Sequence, residues 1–167
     1  MSKKDLLLCL KTEPPLVEGM VDPALQVGEN GIDLSVRKIE RFTGSGMVGF
    51  GEDAKTVSPT EEIEFASSVH LAPGTYKITY NEWLNIPKNL IAIARPRTSL
   101  LRNGVAVEAG VWDAGYSGRG ISILTVYNPA GLELQKNARV TQLVFLHLTQ
   151  PVDIGYVGKY QNENRSG

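Results

Sequence analysis

Asp113 and Tyr116 stand three residues apart in GVWDAGYSGRG (110–120), a corner that also holds four glycines. Glycine lets a backbone approach a ligand closely and leaves its N–H and C=O groups accessible. An acid, a ring and a bare backbone edge could therefore act on one bound molecule. A second segment, PRTSLLR (96–102), ends a strand-like run at a proline and opens a short helix with two hydroxyl residues. The free N–H groups of such a helix start, the hydroxyls of Thr98 and Ser99 and the guanidiniums of Arg97 and Arg102 would form a compact polyphosphate clamp. A third segment, NARVTQLVF (137–145), sets Arg139 and Gln142 at the start of a strand. Taken singly, each has a plainer reading: a turn with a surface aspartate, a capped helix with surface arginines, an ordinary strand.

What positions these groups is a β-rich chain. Glycine and proline recur every ten residues or so, and the runs between them are short and rich in Val, Ile, Leu and Tyr. VHLAPGTYKITYNEWLNIP reads as two strands around an APGTY turn. NLIAIARP reads as a buried strand ended by Pro96, and ISILTVYN and RVTQLVFLHL as two more strands joined by the loop PAGLELQKNA. This spacing implies an all-β sandwich, barrel or jelly roll. One short helix is expected, TSLLRNG, with Thr98 or Ser99 as N-cap and Gly104 as terminator. MSKKDLLLCL reads as an N-terminal strand, because its apolar run is too short for an export signal or a lipid-attachment leader. The 167 residues suit a single domain (1–167), with a mobile C-terminal tail from about residue 156.

Composition narrows the function classes. A net charge of −1 gives no general attraction to nucleic acid or to anionic membrane, so neither is expected as a partner. The lone cysteine, Cys9, cannot close an internal disulfide and fits a reducing, cytoplasmic compartment. GSGMVG (44–49) satisfies a dinucleotide-binding pattern, but no helix-forming run follows it, and it reads as a hairpin or loop. His70 and His147 are far apart and lack a cysteine partner, so they read as strand residues and not as zinc ligands.

Together the segments carry a resemblance. GIDLSV (31–36), PRTSL (96–100), AGVWDAGYSGRG (109–120) and ARVTQLVF (138–145) resemble, in order, four of the five motifs of trimeric dUTPases, which share a superfamily with dCTP deaminases. HLAPGTYKITYNEWLNIPKNLIAIARPRTSL resembles the central region of that superfamily, and the likeness runs from about residue 28 to 161. It implies a distorted jelly roll of the β-clip type, a homotrimer with sites at subunit interfaces, and Mg²⁺-dependent hydrolysis of dUTP to dUMP and pyrophosphate. Asp113 would orient the water that attacks the α-phosphorus. Tyr116 would pack on the deoxyribose, and Arg97, Thr98, Ser99 and Arg102 would hold phosphates with help from Gln142. Main-chain groups of Ala109, Gly110 and Val111 would read the base. The metal would be gripped mainly by the substrate, with Asp33 assisting through bound water or serving a structural role.

The same superfamily offers a second chemistry. The deaminases need a glutamate in the strand after the Asp113 motif, within a pattern resembling E-x-x-N. Counting back from Asn128 finds Thr125, counting forward from Asp113 finds Ile123, and no glutamate occurs between Glu108 and Glu133. A threonine hydroxyl cannot take a proton near neutral pH, which favours dUTP hydrolysis over dCTP deamination or a bifunctional enzyme. The glycine-rich closing motif of ordinary dUTPases is absent, however. The C-terminus offers YVGKYQ, which resembles the deaminase branch and nominates Tyr156, Lys159 and Gln161 as a lid over the nucleotide. A non-catalytic nucleotide-binding regulator on the same fold is the remaining alternative.

Overall fold

The computed structural model describes residues 1–51 and 54–165. The strands in chain order are β1 (Val17–Glu18), β2 (Ile32–Phe42), β3 (Thr60–Glu62), β4 (Ser68–Leu71), β5 (Gly74–Tyr80) and β6 (Trp83–Asn85). They continue as β7 (Leu90–Pro96), β8 (Val105–Glu108), β9 (Ser117–Gly118), β10 (Ile121–Val126), β11 (Leu132–Gln135) and β12 (Arg139–His147). Three short helices interrupt them: α1 (Lys3–Cys9), α2 (Pro23–Gln26) and α3 (Thr98–Arg102).

The largest sheet runs β7-β12-β2-β5-β10-β8, with β3 beside β2; β1-β6-β9 and β4-β11 form two smaller sheets. Strand β2 organises the whole. Residues 32–35 pair with β12, whereas from Val36 onward the partner is β5, and the register shifts between Val36 and Lys38. A second irregularity lies in β12 between Arg139 and Thr141. Such bulges bend and twist a strand, so β2 carries the sheet around a corner and closes it over one core. Leu34, Val36, Ile39, Ile78, Leu124, Leu143 and Phe145 all have 0% exposure there. Truncating any of them to alanine would cost about 2–5 kcal/mol. Tyr80, also at 0% exposure, adds a polar stitch. Its hydroxyl donates to Ser122 Oγ on β10 at 2.6 Å and meets Thr141 Oγ1 on β12 at 2.8 Å. Burial pushes its phenol up to about 12, so it stays neutral in that network.

The β-rich expectation holds, and several local expectations are corrected. The N-terminal segment is helix α1, not a strand. Ser2 and Asp5 form a reciprocal capping box, and the side chain of Leu6 anchors the turn in the core. The expected single helix is one of three, since Asp22 caps α2 by accepting from Ala24 and Leu25 N–H and Pro23 sits at its first position. Helix α3 lies where expected, but its N-cap is Arg97 in extended conformation, with no side-chain cap from Thr98 or Ser99. Gly104, at φ +70°, does end that turn. Strands β4 and β5 flank the predicted turn without pairing to each other, because β4 pairs with β11 inside the segment read as a loop. Strand β7 is half-buried, with Ile93 38% exposed. His70 and His147 lie in strands, and residues 44–49 form a loop bridged at Met47 to Thr56. Among the described residues no helix is long and apolar enough to cross a membrane.

Candidate active site

Residues 109–116 leave the end of β8 and return to the body of the fold through backbone bonds to two neighbours. Trp112 exchanges both N–H···O bonds with Ala92 of β7, at 2.9 and 3.0 Å. Ile86 N–H donates to Tyr116 C=O at 2.8 Å, and Gly115 N–H donates to Ile86 C=O at 2.9 Å. The backbone is extended where Trp112 bridges to Ala92 and then turns at Ala114 and Gly115, and the side chains face alternately in and out. Trp112, Ala114 and Tyr116 turn inward at about 5% exposure, while Val111 and Asp113 turn outward. Two of the corner's glycines are required for a physical reason. Gly115 has φ +84°, and an added Cβ would sit 2.6 Å from Gly155 Cα. A Cβ on Gly118 would sit 2.5 Å from the Tyr116 hydroxyl.

A pocket of about 320 Å³ opens on the outward side. Asp113, Gly110 and Val111 form its rim, and Tyr116 and Trp112 its base. Val57, Gly120 and Ile121 add to its lining, and the far C-terminus supplies another wall through Tyr156, Tyr160 and Glu163. The Tyr156 ring meets Tyr116 edge-on at 5.7 Å between centroids, and Tyr116 Oη donates to Glu163 Oε1 at 2.8 Å. Gln161 fastens this segment by accepting from Ser117 N–H at 2.9 Å and donating to Gly115 C=O at 3.0 Å. Asn162 N–H reaches Ser117 C=O at 2.7 Å, and Arg119 N–H reaches Glu163 C=O at 3.2 Å. Residues 156–164 thus lie along β9 and over the corner. Lys159 is exposed at the outer edge of the segment.

The carboxylates differ sharply in surroundings. Among the described residues, Asp113 has no cation or hydrogen-bond donor at its side chain; only its backbone C=O is engaged, by Tyr116 N–H at 3.1 Å. Burial pushes the Glu163 carboxyl up, against the opposing pull of the Tyr116 hydroxyl and Lys77. Burial and then Glu163 push the Tyr116 phenol well up, so it remains a neutral donor.

The phosphate-clamp candidates lie elsewhere on the chain. Asp33, 8% exposed on β2, takes an ion pair from Arg97 Nε at 2.9 Å and another from Arg139 Nη1 at 3.2 Å. Burial raises its carboxyl, and the two guanidiniums oppose that rise. Gln142 stands opposite Asp33 in the β12–β2 register, its side chain against Gly31. Thr98, Ser99 and Arg102 are exposed on α3, and Ala109 is exposed before the corner. Within one chain the two groups do not meet. Trp112 is bridged to Ala92, and Arg97 follows five residues later, just past the end of β7, roughly 16 Å away at strand rise.

Trp112, Tyr160 and Glu163 belong to the pocket and were not anticipated. Nothing local in YQNENRSG signals that the chain folds back over residue 116. On β10, Ile123 stands opposite Glu108 and Thr125 opposite Ala106 of β8, so the carboxylate in register with these positions is Glu108.

The dCTP deaminase-like family model matches residues 2–148. The chain is 46% identical over 166 residues to a protein of Methanosarcina mazei named probable deoxyuridine 5′-triphosphate nucleotidohydrolase, covering 98% of this chain and 97% of that one. It is 43% identical, over 98% of both chains, to a protein of the same name from Methanococcoides burtonii. In three dimensions it is similar to the crystal structure of 2′-deoxycytidine 5′-triphosphate deaminase from Agrobacterium tumefaciens, with a TM-score of 0.68 at 18% identity. That likeness covers 87% of this chain and 47% of the other, and it shows a shared jelly-roll fold.

Proposed function

Because the chain belongs to the dCTP deaminase-like family, we propose that it hydrolyses dUTP to dUMP and pyrophosphate in the cytoplasm, and that Asp113 is its catalytic carboxylate. The observation that carries this reading is the Asp113 carboxylate, unpaired among the described residues, on the rim of a pocket based on Tyr116. A carboxylate with no competing partner is available to hold a water molecule. It orients that water in line with the α-phosphorus and takes up its proton as the new P–O bond forms. The bond from the α-phosphorus to the bridging oxygen then breaks, and pyrophosphate leaves. Positioning supplies much of the effect, because an ordinary carboxylate is a weak base.

The corner performs selection as well. The exposed backbone of Ala109, Gly110 and Val111 reads the base edge, and a base with reversed donors and acceptors leaves polar groups unpaired at about 1–3 kcal/mol each. The Tyr116 ring, backed by Tyr156, lies flat against the deoxyribose and leaves no room for a 2′-hydroxyl. Tyr156, Lys159 and Gln161 belong to a lid, in which Gln161 fastens the segment and Lys159 reaches phosphate.

The residues present fit Mg²⁺ carried by the substrate and not caged by the protein. Among the described residues no three His, Cys, Asp or Glu side chains cluster as ligands, and Asp33 is committed to two arginines. When bound, the metal neutralises charge growing on the pyrophosphate leaving group. Arg97, Thr98, Ser99 and Arg102 supply the rest of that neutralisation, with Gln142 beside them. Their distance from Asp113 within one chain supports a homotrimer in which the α3 segment of one copy faces the corner of the next.

Deamination of dCTP is the second reading, favoured by two observations: Glu163 lines the pocket and Glu108 stands beside Ile123. One experiment separates the two. Purified protein is incubated with Mg²⁺ and either dUTP or dCTP, and pyrophosphate and ammonia are assayed separately. Pyrophosphate from dUTP without ammonia from dCTP is expected. Ammonia from dCTP would transfer the catalytic role to one of those glutamates, and turnover of neither substrate would leave a nucleotide-binding regulator.

A further inference from the structure

A second recess, of about 560 Å³, lies on the other side of the C-terminal segment. Its cations are Arg37, Lys38, Lys77, Arg119 and Lys136, against two carboxylates, Glu40 and Glu62. The carboxylates are already spent on two of those cations: Glu40 pairs with Lys77 at 2.9 Å and Lys38 at 3.4 Å, and Glu62 pairs with Lys38 at 3.2 Å. Three cations are left over. Arg37 and Lys136 have no ion pair among the described residues, and the Arg119 guanidinium donates only to backbone carbonyls of Asn81 at 3.1 Å and Asn164 at 2.7 Å. Arg119 is partly buried; that burial and the neighbouring Arg37 charge disfavour its protonated form, and Glu82 opposes them. Amides of Asn81, Asn137 and Asn164 complete the wall. Like charges gathered around a concave polar surface raise the local concentration of anions and are relieved by one.

We propose that this recess is an anion site for a di- or triphosphate group, held by Arg37, Arg119 and Lys136, and that filling it fastens the C-terminal segment over the Asp113 pocket. Three cations converging on one concavity match the charge of pyrophosphate better than that of a carboxylate. The link to the lid is geometric. Asn164 lines the recess and also returns a bond to Arg119 C=O at 2.8 Å, while Arg119 N–H holds Glu163 C=O. Lys77 in the recess lies close enough to Glu163 to affect its ionisation. An anion that draws Arg119 inward therefore tightens the residues that wall the nucleotide pocket. The site needs no catalysis to exist, so it stands apart from the hydrolase reading.

The test is calorimetric titration of full-length protein with inorganic pyrophosphate in the absence of divalent metal, using wild type, Arg37→Ala/Lys136→Ala and Arg102→Ala. Both residues of the double variant are exposed and unpaired, so folding and dUTP turnover without added anion should be unchanged. Pyrophosphate should bind the double variant about tenfold or more weakly, as loss of two charge-assisted contacts implies. Arg102→Ala should keep this binding. Pyrophosphate should also slow tryptic cleavage after Lys159 in wild type and not in the double variant. ATP as a second probe separates a site for the free anion, which takes pyrophosphate alone, from one for a nucleotide's phosphates, which takes both. An isotherm unchanged by Arg37→Ala/Lys136→Ala, or binding lost only with Arg102→Ala, overturns the proposal.

Discussion

Two aspartates on this chain are held in opposite ways. Asp33 sits inside paired strands with two guanidiniums on its carboxylate, and Asp113 sits on a loop corner with none. Both lay within motif-like segments. A carboxylate saturated by arginine has its lone pairs committed, so its work is to orient those arginines. A bare one beside a pocket is available to a water molecule. Burial and partnership, not residue type, separate the two aspartates, and on the proposed reading they separate a positioning role from a catalytic one.

The sharpest way to break that contrast is Asp113→Asn. The amide keeps the shape of the corner but cannot accept a proton. Turnover of dUTP should fall by about 10²–10⁴-fold, while the affinity for a non-hydrolysable dUTP analogue stays within a few-fold. Near-normal turnover would remove Asp113 from the chemistry. Asp33→Asn should act on the opposite quantity. It leaves Arg97 and Arg139 short of a counter-charge at a mostly buried site, costing about 1–3 kcal/mol of stability. Denaturant midpoints measure that loss. The accompanying kinetic change should be a higher KM, with kcat less affected. A kcat loss as deep as that of Asp113→Asn would mean that the two carboxylates share one role.

A third substitution probes the corner's ring. Tyr116→Ala opens the pocket base and removes the partner of Tyr156 and Glu163. It should let UTP compete with dUTP, lowering the ratio of their kcat/KM values by about tenfold, the scale of one small steric group. Unchanged sugar discrimination would assign Tyr116 a packing role alone.

Much of this was legible before any coordinates. Short runs rich in Val, Ile, Leu and Tyr between Gly and Pro located β5, β7, β10 and β12, because such residues suit a pleated, buried surface. The 110–120 corner was legible because an acid, two aromatic rings and four glycines in eleven residues have few structural uses. What escaped were contacts made at long sequence separation. Glu163 meets Tyr116 across 47 positions, and Arg139 meets Asp33 across 106. The α1 helix escaped for another reason. Its S-x-x-D capping box was present, but the following leucine run fits a strand equally well, and only the burial of Leu6 decides between them.

The smallest effect concerns how the C-terminal segment is held over Asp113. In the docked state burial raises the Glu163 carboxyl above its ordinary value of 4.5, so docking favours its protonated form. The docking free energy is therefore most favourable below that ordinary value and weakens as pH rises through the raised one. The Tyr116 hydroxyl that faces Glu163 stays neutral over the same range and does not reverse this sign. In wild type, amide exchange at Asn162, whose N–H is held by Ser117 C=O, should be better protected near pH 5 than near pH 7 after correction for intrinsic exchange. Glu163→Gln keeps an acceptor for the Tyr116 hydroxyl and removes the charge. Its protection should be flat across that interval and higher than wild type at pH 7. If the variant keeps the wild-type slope, another group titrates with the lid, and the segment's hold on the corner rests on its backbone bonds to β9 alone.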